Sequence, residues 1–145
     1  MSSTFKVPYL SKRCEEYLEA IYLLEKKLGR ARIKDIAEKL SVKPSSVVEY
    51  LRKLCSNGLI DYKPGHEVKL TERGFSEAEK IYEKHKLIKS FLMSLGVSEE
   101  TAEKDSCIME HYLSKETFEK IAEYIKRTRL AASAPEVNNH SDSSS

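Results

Sequence analysis

The sequence predicts a mostly α-helical fold, with two helical parts and one short β-hairpin between them. Two observations predict it. Apolar residues recur every three or four positions through most of the chain, which is the period of an amphipathic helix. A turn containing Pro and Gly, at residues 63–66, separates two short stretches with the composition of strands.

Three helices are expected in the first half of the chain. Ser11 is placed to cap the first helix, which stops at Gly29. A short second helix covers about residues 33–40. A third helix opens at Pro44 or Ser45, because proline suits the first turn of a helix, where its missing N–H is not needed.

The third helix ends at Asn57 and leads into two strand candidates, residues 59–62 and 67–70. Helix, turn, helix and hairpin in this order are typical of a winged helix-turn-helix, a fold that commonly binds DNA. Two alternatives stay open on these residues. One is a three-helix domain with a surface hairpin and no nucleic acid partner, and the other is a winged helix that serves as a protein-interaction module.

Three more helices are expected in the second half. Thr71 caps the first of them, and Gly96 ends it. Ser98 starts the next, with two carboxylates in the first turn, where the helix dipole favours negative charge. The predicted ranges are 72–95, 99–113 and, after a partial capping box at Ser114, residues up to 129.

We therefore predict a winged helix-turn-helix DNA-binding domain at residues 1–74 and an all-helical domain at 75–130. Residues 131–145 are rich in Ser, Asn and Ala, lack the apolar side chains of a core, and are predicted to be disordered. Residues 1–74 hold 15 Lys and Arg against 10 Asp and Glu, whereas the remainder holds 10 against 13. The basic first half is the part expected to meet nucleic acid.

The composition also indicates the cellular compartment of the protein. The N-terminus lacks the apolar core of a signal peptide, and no apolar run approaches the roughly 20 residues of a membrane span. Three cysteines are an odd number for a disulfide framework. These features predict a cytoplasmic protein with reduced thiols.

The residues Cys107, Glu110 and His111 form the most informative cluster. They are spaced i, i+3, i+4 in the stretch D-S-C-I-M-E-H-Y-L, which puts all three on one face of the predicted helix. A thiolate, a carboxylate and an imidazole are ligand types that a divalent transition metal takes. A metal site in the same chain as a DNA-binding module predicts a sensor.

Three further residues are candidate ligands by type. His85 lies in the middle of the fourth helix, and Glu16 and Glu19 lie one turn apart on the first. Considered singly, each is more commonly an exposed side chain on an amphipathic helix. Assembled with the cluster at residues 107–111, they would complete a site with nitrogen, oxygen and sulfur ligands.

Several motifs together resemble those of one family. They are E-E-Y-L-E-A-I-Y-L-L, I-K-D-I-A-E-K-L-S-V-K-P-S-S-V, G-L-I followed by V-K-L-T-E-R-G, H-K-L-I-K-S-F-L and C-I-M-E-H-Y-L-S, spread over about residues 14–125. The chain resembles the diphtheria-toxin-repressor and manganese-transport-repressor family of metal-activated transcriptional repressors. The resemblance implies a winged helix-turn-helix followed by a helical domain for metal binding and dimerisation. It also implies a two-domain form, without the third, SH3-like domain of longer relatives.

The resemblance implies a hybrid ligand set. Cys107, Glu110 and His111 match the main metal site of the iron-responsive members. Glu16 stands where those members have a methionine and the manganese-responsive members have an acidic residue, and Glu19 matches a second acidic residue of the latter. The manganese-responsive members have a glutamate at the position of Cys107.

The resemblance leaves a second metal site open. His85 matches a ligand in both branches of the family. Lys89 and Glu103 stand where the iron branch has a second-site glutamate and histidine, and a protonated lysine cannot ligate. His85 with Glu19 and Glu103 would build a different second site.

A soft thiolate favours Fe(II), and the carboxylates favour harder ions such as Mn(II). We expect Fe(II) or Mn(II) as the signal, with Zn(II), Co(II) or Ni(II) able to bind in vitro.

The expected partners are double-stranded operator DNA and a second copy of the chain. In that homodimer, the apolar faces of the last two helices, including Ile108 and Phe118, are expected to meet. No membrane and no small organic substrate is expected.

The recognition helix is the expected DNA-binding element, with its N-terminal residues in the major groove. Short hydroxyl side chains favour close packing against bases, and basic ones favour phosphate contacts, which position the protein without specifying sequence. The candidate DNA-binding residues are Arg32, Lys43, Pro44, Ser45, Ser46, Glu49, Tyr50, Arg52 and Lys53.

Rival functions come from other classes. A metal-independent winged-helix regulator would use Cys107 and His111 as core residues. A redox sensor built on Cys107 would need a resolving cysteine, and none is evident nearby. A metalloenzyme would need an open coordination position and a substrate pocket, and the sequence has no nucleophile–base pair or Gly-rich phosphate loop, so we expect no enzyme.

Overall fold

A computed structural model describes residues 10–132 of the chain. The N-terminal segment used to argue against a signal peptide, and residues 133–145 of the predicted disordered tail, lie outside this range. Within it the structure is mostly helical, as predicted. The elements are α1 Lys12–Leu28, α2 Ile33–Leu40, α3 Pro44–Ser56, β1 Ile60–Asp61, β2 Lys69–Leu70, α4 Glu72–Ser94, α5 Glu99–Tyr112 and α6 Lys115–Ala132.

The predicted helix starts are confirmed by their caps. The Ser11 hydroxyl accepts a hydrogen bond from the N–H of Cys14, 3.1 Å away, and Ser98 accepts one from Thr101 at 3.3 Å. Each satisfies a donor that the first turn of a helix leaves without an intrahelical partner. At the end of α1, Gly29 adopts a left-handed conformation with φ of 79°, as expected of a C-terminal stop.

The hairpin is shorter than predicted. β1 and β2 pair antiparallel over two residues each, with Ile60 opposite Leu70. Val68 leaves this ladder and donates its N–H to the carbonyl of Ala31, 2.9 Å away, at the turn before α2. The predicted strand at 67–70 is therefore shared between two partners, and neither pairing is long.

The last helix is longer than predicted. α6 continues to Ala132, whereas the sequence placed its end near residue 129 and the start of the disordered tail at 131. Alanine has the highest intrinsic helix propensity, so the two alanines at 131 and 132 extend the helix. The tail that remains predicted to be disordered lies outside the described residues.

A large apolar core lies among α1, α2, α3 and the hairpin. Seventeen buried residues form one cluster, and the largest fully buried side chains include Tyr17, Tyr22, Ile36 and Leu51. Burying such side chains contributes roughly 1.5–3 kcal/mol each, which is the main favourable contribution to folding. This half of the chain therefore has a core of its own.

Gly74 joins the hairpin to α4 at a very close approach. A Cβ on Gly74 would lie 1.8 Å from the carbonyl oxygen of Leu59, so only glycine fits there. Thr71, directly before the helix, donates its hydroxyl to the carbonyl of Gly58 and accepts from the N–H of Gly74, at 2.7 and 3.0 Å. The start of α4 is thereby fixed to the base of the hairpin.

The chain divides into two compact units, one ending at Glu83 and the other beginning at Lys84, within α4. We call them the DNA-binding unit and the helical unit. The domain boundary expected at residue 74 stays a prediction. Cys14, Cys55 and Cys107 are free thiols. Among residues 10–132, no helix has the length and apolar character required to span a membrane.

Candidate metal centre

One face of α5 gathers the ligand-type side chains of the helical unit. Glu103, Ser106, Cys107 and Glu110 are spaced i, i+3, i+4, i+7, so they lie on one side of the helix. His85 on α4 contacts this face. Glu110 and Ser106 are 2% and 0% exposed, and His85 is 5% exposed, which is uncommon for such polar residues.

His85 lies between two carboxylates. Its Nδ1 is 2.7 Å from Oε1 of Glu110, and its Nε2 is 3.0 Å from Oε2 of Glu103. Two carboxylate acceptors, one on each ring nitrogen, suit the doubly protonated imidazolium, which donates from both nitrogens. Without a metal, His85 therefore carries the positive charge that compensates the buried Glu110.

The pKa of His85 reflects these contacts. Hydrogen bonding to the sulfur of Cys107, and then to Glu110, raises the pKa of His85 from 6.5 to about 11, against the opposing effect of burial. The Cys107 Sγ lies 3.8 Å from Nδ1. A metal ion bound at either ring nitrogen must displace a proton, so metal binding here is coupled to proton release.

One carboxylate oxygen of Glu110 accepts no hydrogen bond from residues 10–132. This atom, Oε2, is buried and has no hydrogen-bond partner within the described part of the chain. The Nε2 of His111 lies 3.5 Å from it. Two ligand atoms about 2.1 Å from one ion are separated by about 3 to 3.5 Å, so the spacing fits a shared cation. A buried carboxylate oxygen without a donor, beside an imidazole, is a polar group that a metal ion would satisfy.

Cys107 lies at the exposed edge of the same face. Its Sγ is 3.9 Å from Oε2 of Glu103. His85, Glu103 and Cys107 each offer one ligand atom, and these atoms lie within 4.8 Å of one another. The helical unit thus holds a second group of ligand-type atoms, next to the pair formed by Glu110 and His111.

A lysine also contacts this edge. The Nζ of Lys89 is 3.0 Å from Oε1 of Glu103 and 3.4 Å from Oε2 of Glu99. Hydrogen bonding to Glu103 is the main reason that the pKa of Lys89 is raised above its usual value. Both oxygens of Glu103 therefore face a basic group, whereas Glu110 keeps one oxygen without a donor.

The predicted ligands divide between the two units. His85, Cys107, Glu110 and His111 lie close together in the helical unit, and their role as metal ligands stays a prediction. Glu16 and Glu19 belong to α1 in the DNA-binding unit and are half-buried there. The Glu16 carboxylate pairs with the guanidinium of Arg13 on the preceding turn. Their role as ligands stays a prediction.

Ser106 was missed at the level of sequence. Its buried hydroxyl donates to the carbonyl of Glu103 at 3.1 Å and lies 3.3 Å from Nδ1 of His85. A serine in mid-helix gave no signal by itself. The available signal was spacing, because residues 103, 106 and 110 follow the helical period on the face that carries the predicted ligands.

The recognition helix α3 presents a polar first turn. Lys43, Pro44 and Ser45 are exposed at its N-terminal end, as are Glu49 and Arg52 further along. Tyr50, another candidate for DNA binding, is half-buried. Its ring stacks on Tyr17 of α1, with centroids 4.6 Å apart and an interplanar angle of 15°, and the Nζ of Lys53 lies 4.6 Å from the centroid of the Tyr50 ring. The remaining candidates are half-buried Ser46 and exposed Arg32, whose guanidinium lies 3.7 Å from Glu67 of the wing.

Comparison with known proteins gives a consistent result for both units. Residues 9–68 match the family model of the iron dependent repressor N-terminal DNA binding domain. Residues 71–139 match that of the iron dependent repressor metal binding and dimerisation domain. Between them the two models account for most of the chain.

Similar proteins point the same way. An uncharacterised helix-turn-helix transcriptional regulator of Methanocaldococcus jannaschii is 40% identical over 120 residues, covering 81% of this chain and 96% of that protein. The transcriptional regulator MntR of Lysinibacillus sphaericus is 38% identical over 112 residues, covering 77% and 81%. The solved structure of the manganese regulator SloR is 30% identical with a TM-score of 0.67, covering 81% of this chain. The match spans 54% of the SloR chain, so this chain corresponds to about half of that protein.

Proposed function

Because the chain belongs to the family of iron-dependent repressors, we propose that it is a metal-activated transcriptional repressor. In this proposal, binding of Fe(II) or Mn(II) raises its affinity for operator DNA, which it contacts as a homodimer in the cytoplasm. The observation that carries the proposal is the buried Oε2 of Glu110, which has no hydrogen-bond donor among the described residues, lies beside His111, and belongs to a carboxylate whose other oxygen contacts His85.

The proposed ligands of the regulatory ion are Cys107, Glu110 and His111, with Glu16 and Glu19 contributed by α1 on the family match. A bound ion would take over the charge compensation that His85 gives Glu110 and that Arg13 gives Glu16, and these carboxylates would hold it. His85 would then no longer be needed as the compensating cation and would release a proton. Glu16 must part from Arg13, an exposed ion pair that contributes roughly 0–1 kcal/mol and is therefore easily exchanged.

The proposed route from ligand to DNA runs through α1. Tyr17 lies between Glu16 and Glu19 on that helix and stacks on Tyr50 of the recognition helix. Because packed side chains adopt discrete arrangements rather than deforming continuously, a shift of α1 at its carboxylates displaces α3 as well. In a two-fold dimer, the positions of the two recognition helices decide whether both reach the major groove.

The energy required is modest. Changing a population from mostly inactive to mostly active takes about 5.5 kcal/mol of differential binding. Bonds from the ion to several carboxylate, thiolate and imidazole ligands supply free energy of this size.

The proposed DNA surface is the first turn of α3 together with the wing. Ser45 and Ser46 are suited to base edges, while Lys43, Arg52 and Lys53 are suited to phosphates. On the wing side, a cleft is lined by Arg32, Lys34, His66 and Lys69, among other residues. Its basic residues favour a phosphate group.

The homodimer is proposed on the family model and on exposed apolar side chains of the helical unit. Ile108 and Tyr112 of α5 are 60% and 69% exposed, and Tyr124 of α6 is 46% exposed. Large apolar side chains exposed on a protein surface commonly mark an interface when they form a patch.

Because it is proposed to act as a transcription regulator, we also propose that the protein is not an enzyme.

The proposal is tested by an anaerobic gel shift on the promoter region of the protein's own gene. Saturating Fe(II) or Mn(II) is expected to tighten binding by about 100-fold or more relative to chelator, within the range of allosteric couplings. Equal affinity in metal and in chelator would favour the metal-independent regulator instead. No binding in either condition would contradict both DNA-binding hypotheses and would favour the protein-interaction module.

The metal preference is tested at Cys107. Replacing the soft thiolate by a harder carboxylate, in Cys107→Glu, is expected to shift activation toward Mn(II) and away from Fe(II). Cys55→Ser, which changes an exposed thiol on α3, is the matched control and should leave the metal preference unchanged. An unaltered preference in Cys107→Glu would contradict a ligand role for the thiolate.

A further inference from the structure

Glu103 contacts two basic side chains of α4, those of His85 and Lys89. Lys89 follows His85 by one helical turn on α4, so both side chains leave the same face of that helix. Its ammonium contacts Glu103 at 3.0 Å and Glu99 at 3.4 Å. Two carboxylates of α5 thus share one cation that is covalently part of α4.

We propose that the Lys89 ammonium takes the place of a second metal ion at the cluster of His85, Glu103 and Cys107. The chain then responds to a single ion per protomer. This inference rests on the proposed function, because it assumes that the site at Glu110 and His111 holds the regulatory ion.

The two carboxylates of the centre differ in the way the inference requires. Both oxygens of Glu103 face basic groups, Nε2 of His85 and Nζ of Lys89. Glu110 has one oxygen on His85 and a buried second oxygen without a donor. Among the described residues, the two carboxylates therefore differ in one oxygen: Oε2 of Glu110 accepts no hydrogen bond, whereas both oxygens of Glu103 are paired with basic groups.

The ligand atoms by themselves would suffice for a second ion. His85, Glu103 and Cys107 supply nitrogen, oxygen and sulfur atoms within 4.8 Å of one another, a set suited to Zn(II), Co(II) or Fe(II). Because Cys107 is also a proposed ligand of the regulatory ion, its thiolate would be shared between the two ions. What opposes the ion is charge. An ammonium has no lone pair to offer and repels a divalent cation bound to the carboxylate that it contacts.

The expected size of this opposition is limited by solvent. The side chains of Lys89 and Glu103 are 25% and 48% exposed, so water and salt screen the repulsion. At such positions, loss of one positive charge is expected to tighten binding of a divalent ion by about tenfold or more.

Lys89→Gln and Lys89→Glu of the full chain test the inference. Equivalents of Co(II) per protomer are measured by anaerobic equilibrium dialysis, and thiolate ligation is monitored by the sulfur-to-cobalt charge-transfer band. The native chain is expected to bind one equivalent tightly. The affinity of Lys89→Gln for a second equivalent should exceed that of the native chain by about tenfold or more. The affinity of Lys89→Glu, which adds a carboxylate, should be higher still.

Lys104→Gln is the matched control, because it removes a charge from an exposed position next to Glu103. It should bind Co(II) like the native chain.

Adding Glu103→Gln to Lys89→Gln should abolish the second equivalent, because it removes a ligand of the new site. Two tight equivalents on the native chain would overturn the inference, and so would unchanged stoichiometry and affinity in both Lys89 variants. A native chain that binds no Co(II) would count against the proposed function. An additional equivalent in the Lys89 variants would still support the role of Lys89 in that case.

Discussion

The two units of this chain differ in what fills their interiors. In the DNA-binding unit the described buried residues are apolar, and seventeen of them form one cluster around Tyr17, Tyr22 and Ile36. In the helical unit the buried apolar residues described are Ile88, Ala102 and Ile125, and they are matched by the polar residues His85, Ser106 and Glu110. One unit is built around hydrophobic burial and the other around a charged centre.

The difference indicates how the two units depend on metal. Apolar burial requires no ligand and supplies most of the stability of a folded domain. A buried carboxylate is costly unless it is paired, and removing its partner leaves an uncompensated charge. We therefore expect the DNA-binding unit to be folded with or without metal, and the helical unit to gain order when metal satisfies Glu110.

The largest expected effect comes from Glu110→Gln. The variant keeps the shape of the side chain but removes the negative charge and one ligand, so the affinity for the first metal ion should fall by about 100-fold or more, since mutation of even indirect metal contacts costs 10–100-fold. Isothermal titration with Mn(II) measures it. Glu100→Gln, at an exposed position in the first turn of the same helix, should bind metal like the native chain. Native affinity in Glu110→Gln would contradict the proposed centre.

Gly74→Ala tests the other unit. A Cβ at 1.8 Å from the Leu59 carbonyl oxygen forces the hairpin away from α4, and we expect a loss of roughly 2 kcal/mol in the free energy of unfolding. Denaturant unfolding measures the change, with Ser76→Ala at an exposed position on α4 as the control for helix propensity. If Gly74→Ala is as stable as the native chain, the close approach has no energetic role.

The pH dependence of the metal-free helical unit should follow His85. Because its pKa is raised from 6.5 to about 11, its contribution to stability is complete below pH 6.5 and is lost as the pH rises through 11. Local stability at α5, measured by hydrogen exchange, should therefore fall steadily between pH 7 and 10. His85→Gln should lack this dependence, and a native chain whose local stability rises with pH would contradict the imidazolium assignment.

Tyr17→Phe should have the smallest effect. The Tyr17 hydroxyl is buried and has no hydrogen-bond partner among residues 10–132, so its removal should leave stability unchanged or raise it by up to about 1 kcal/mol. Thermal unfolding measures it, with Tyr124→Phe at an exposed position as the control. A loss of more than about 1 kcal/mol would indicate a partner for this hydroxyl.

The sequence predicted what depends on local physics. Helix starts at Ser11 and Ser98 and the stop at Gly29 follow from capping, and the shared face of Cys107 and Glu110 follows from the helical period. Two results required tertiary contacts. Stacking of Tyr50 on Tyr17 joins helices that are distant in sequence, and the diversion of Val68 from the hairpin requires a partner beyond it.

The candidate site shows the same limit. Residue types and spacing indicated which side chains are ligand types, and the family resemblance indicated which of them to combine. The pairing of His85 with both Glu103 and Glu110 crosses from one helix to the next and depends on how α4 packs against α5. The single donor-free oxygen of Glu110 is likewise a property of packing, since every glutamate has the same two oxygens in the sequence.

Hydrogen exchange of the native chain, with and without saturating Mn(II), tests the central comparison most directly. Metal is expected to slow exchange of the amides in residues 103–112 by about tenfold or more, because ligation by Glu110, His111 and Cys107 stabilises α5 against local opening. The core amides of α3 around Leu51 and Leu54 should exchange equally slowly in both samples. Equal protection of α5 in the two samples, or metal-dependent protection of the α3 core, would contradict the division into a metal-independent and a metal-ordered unit.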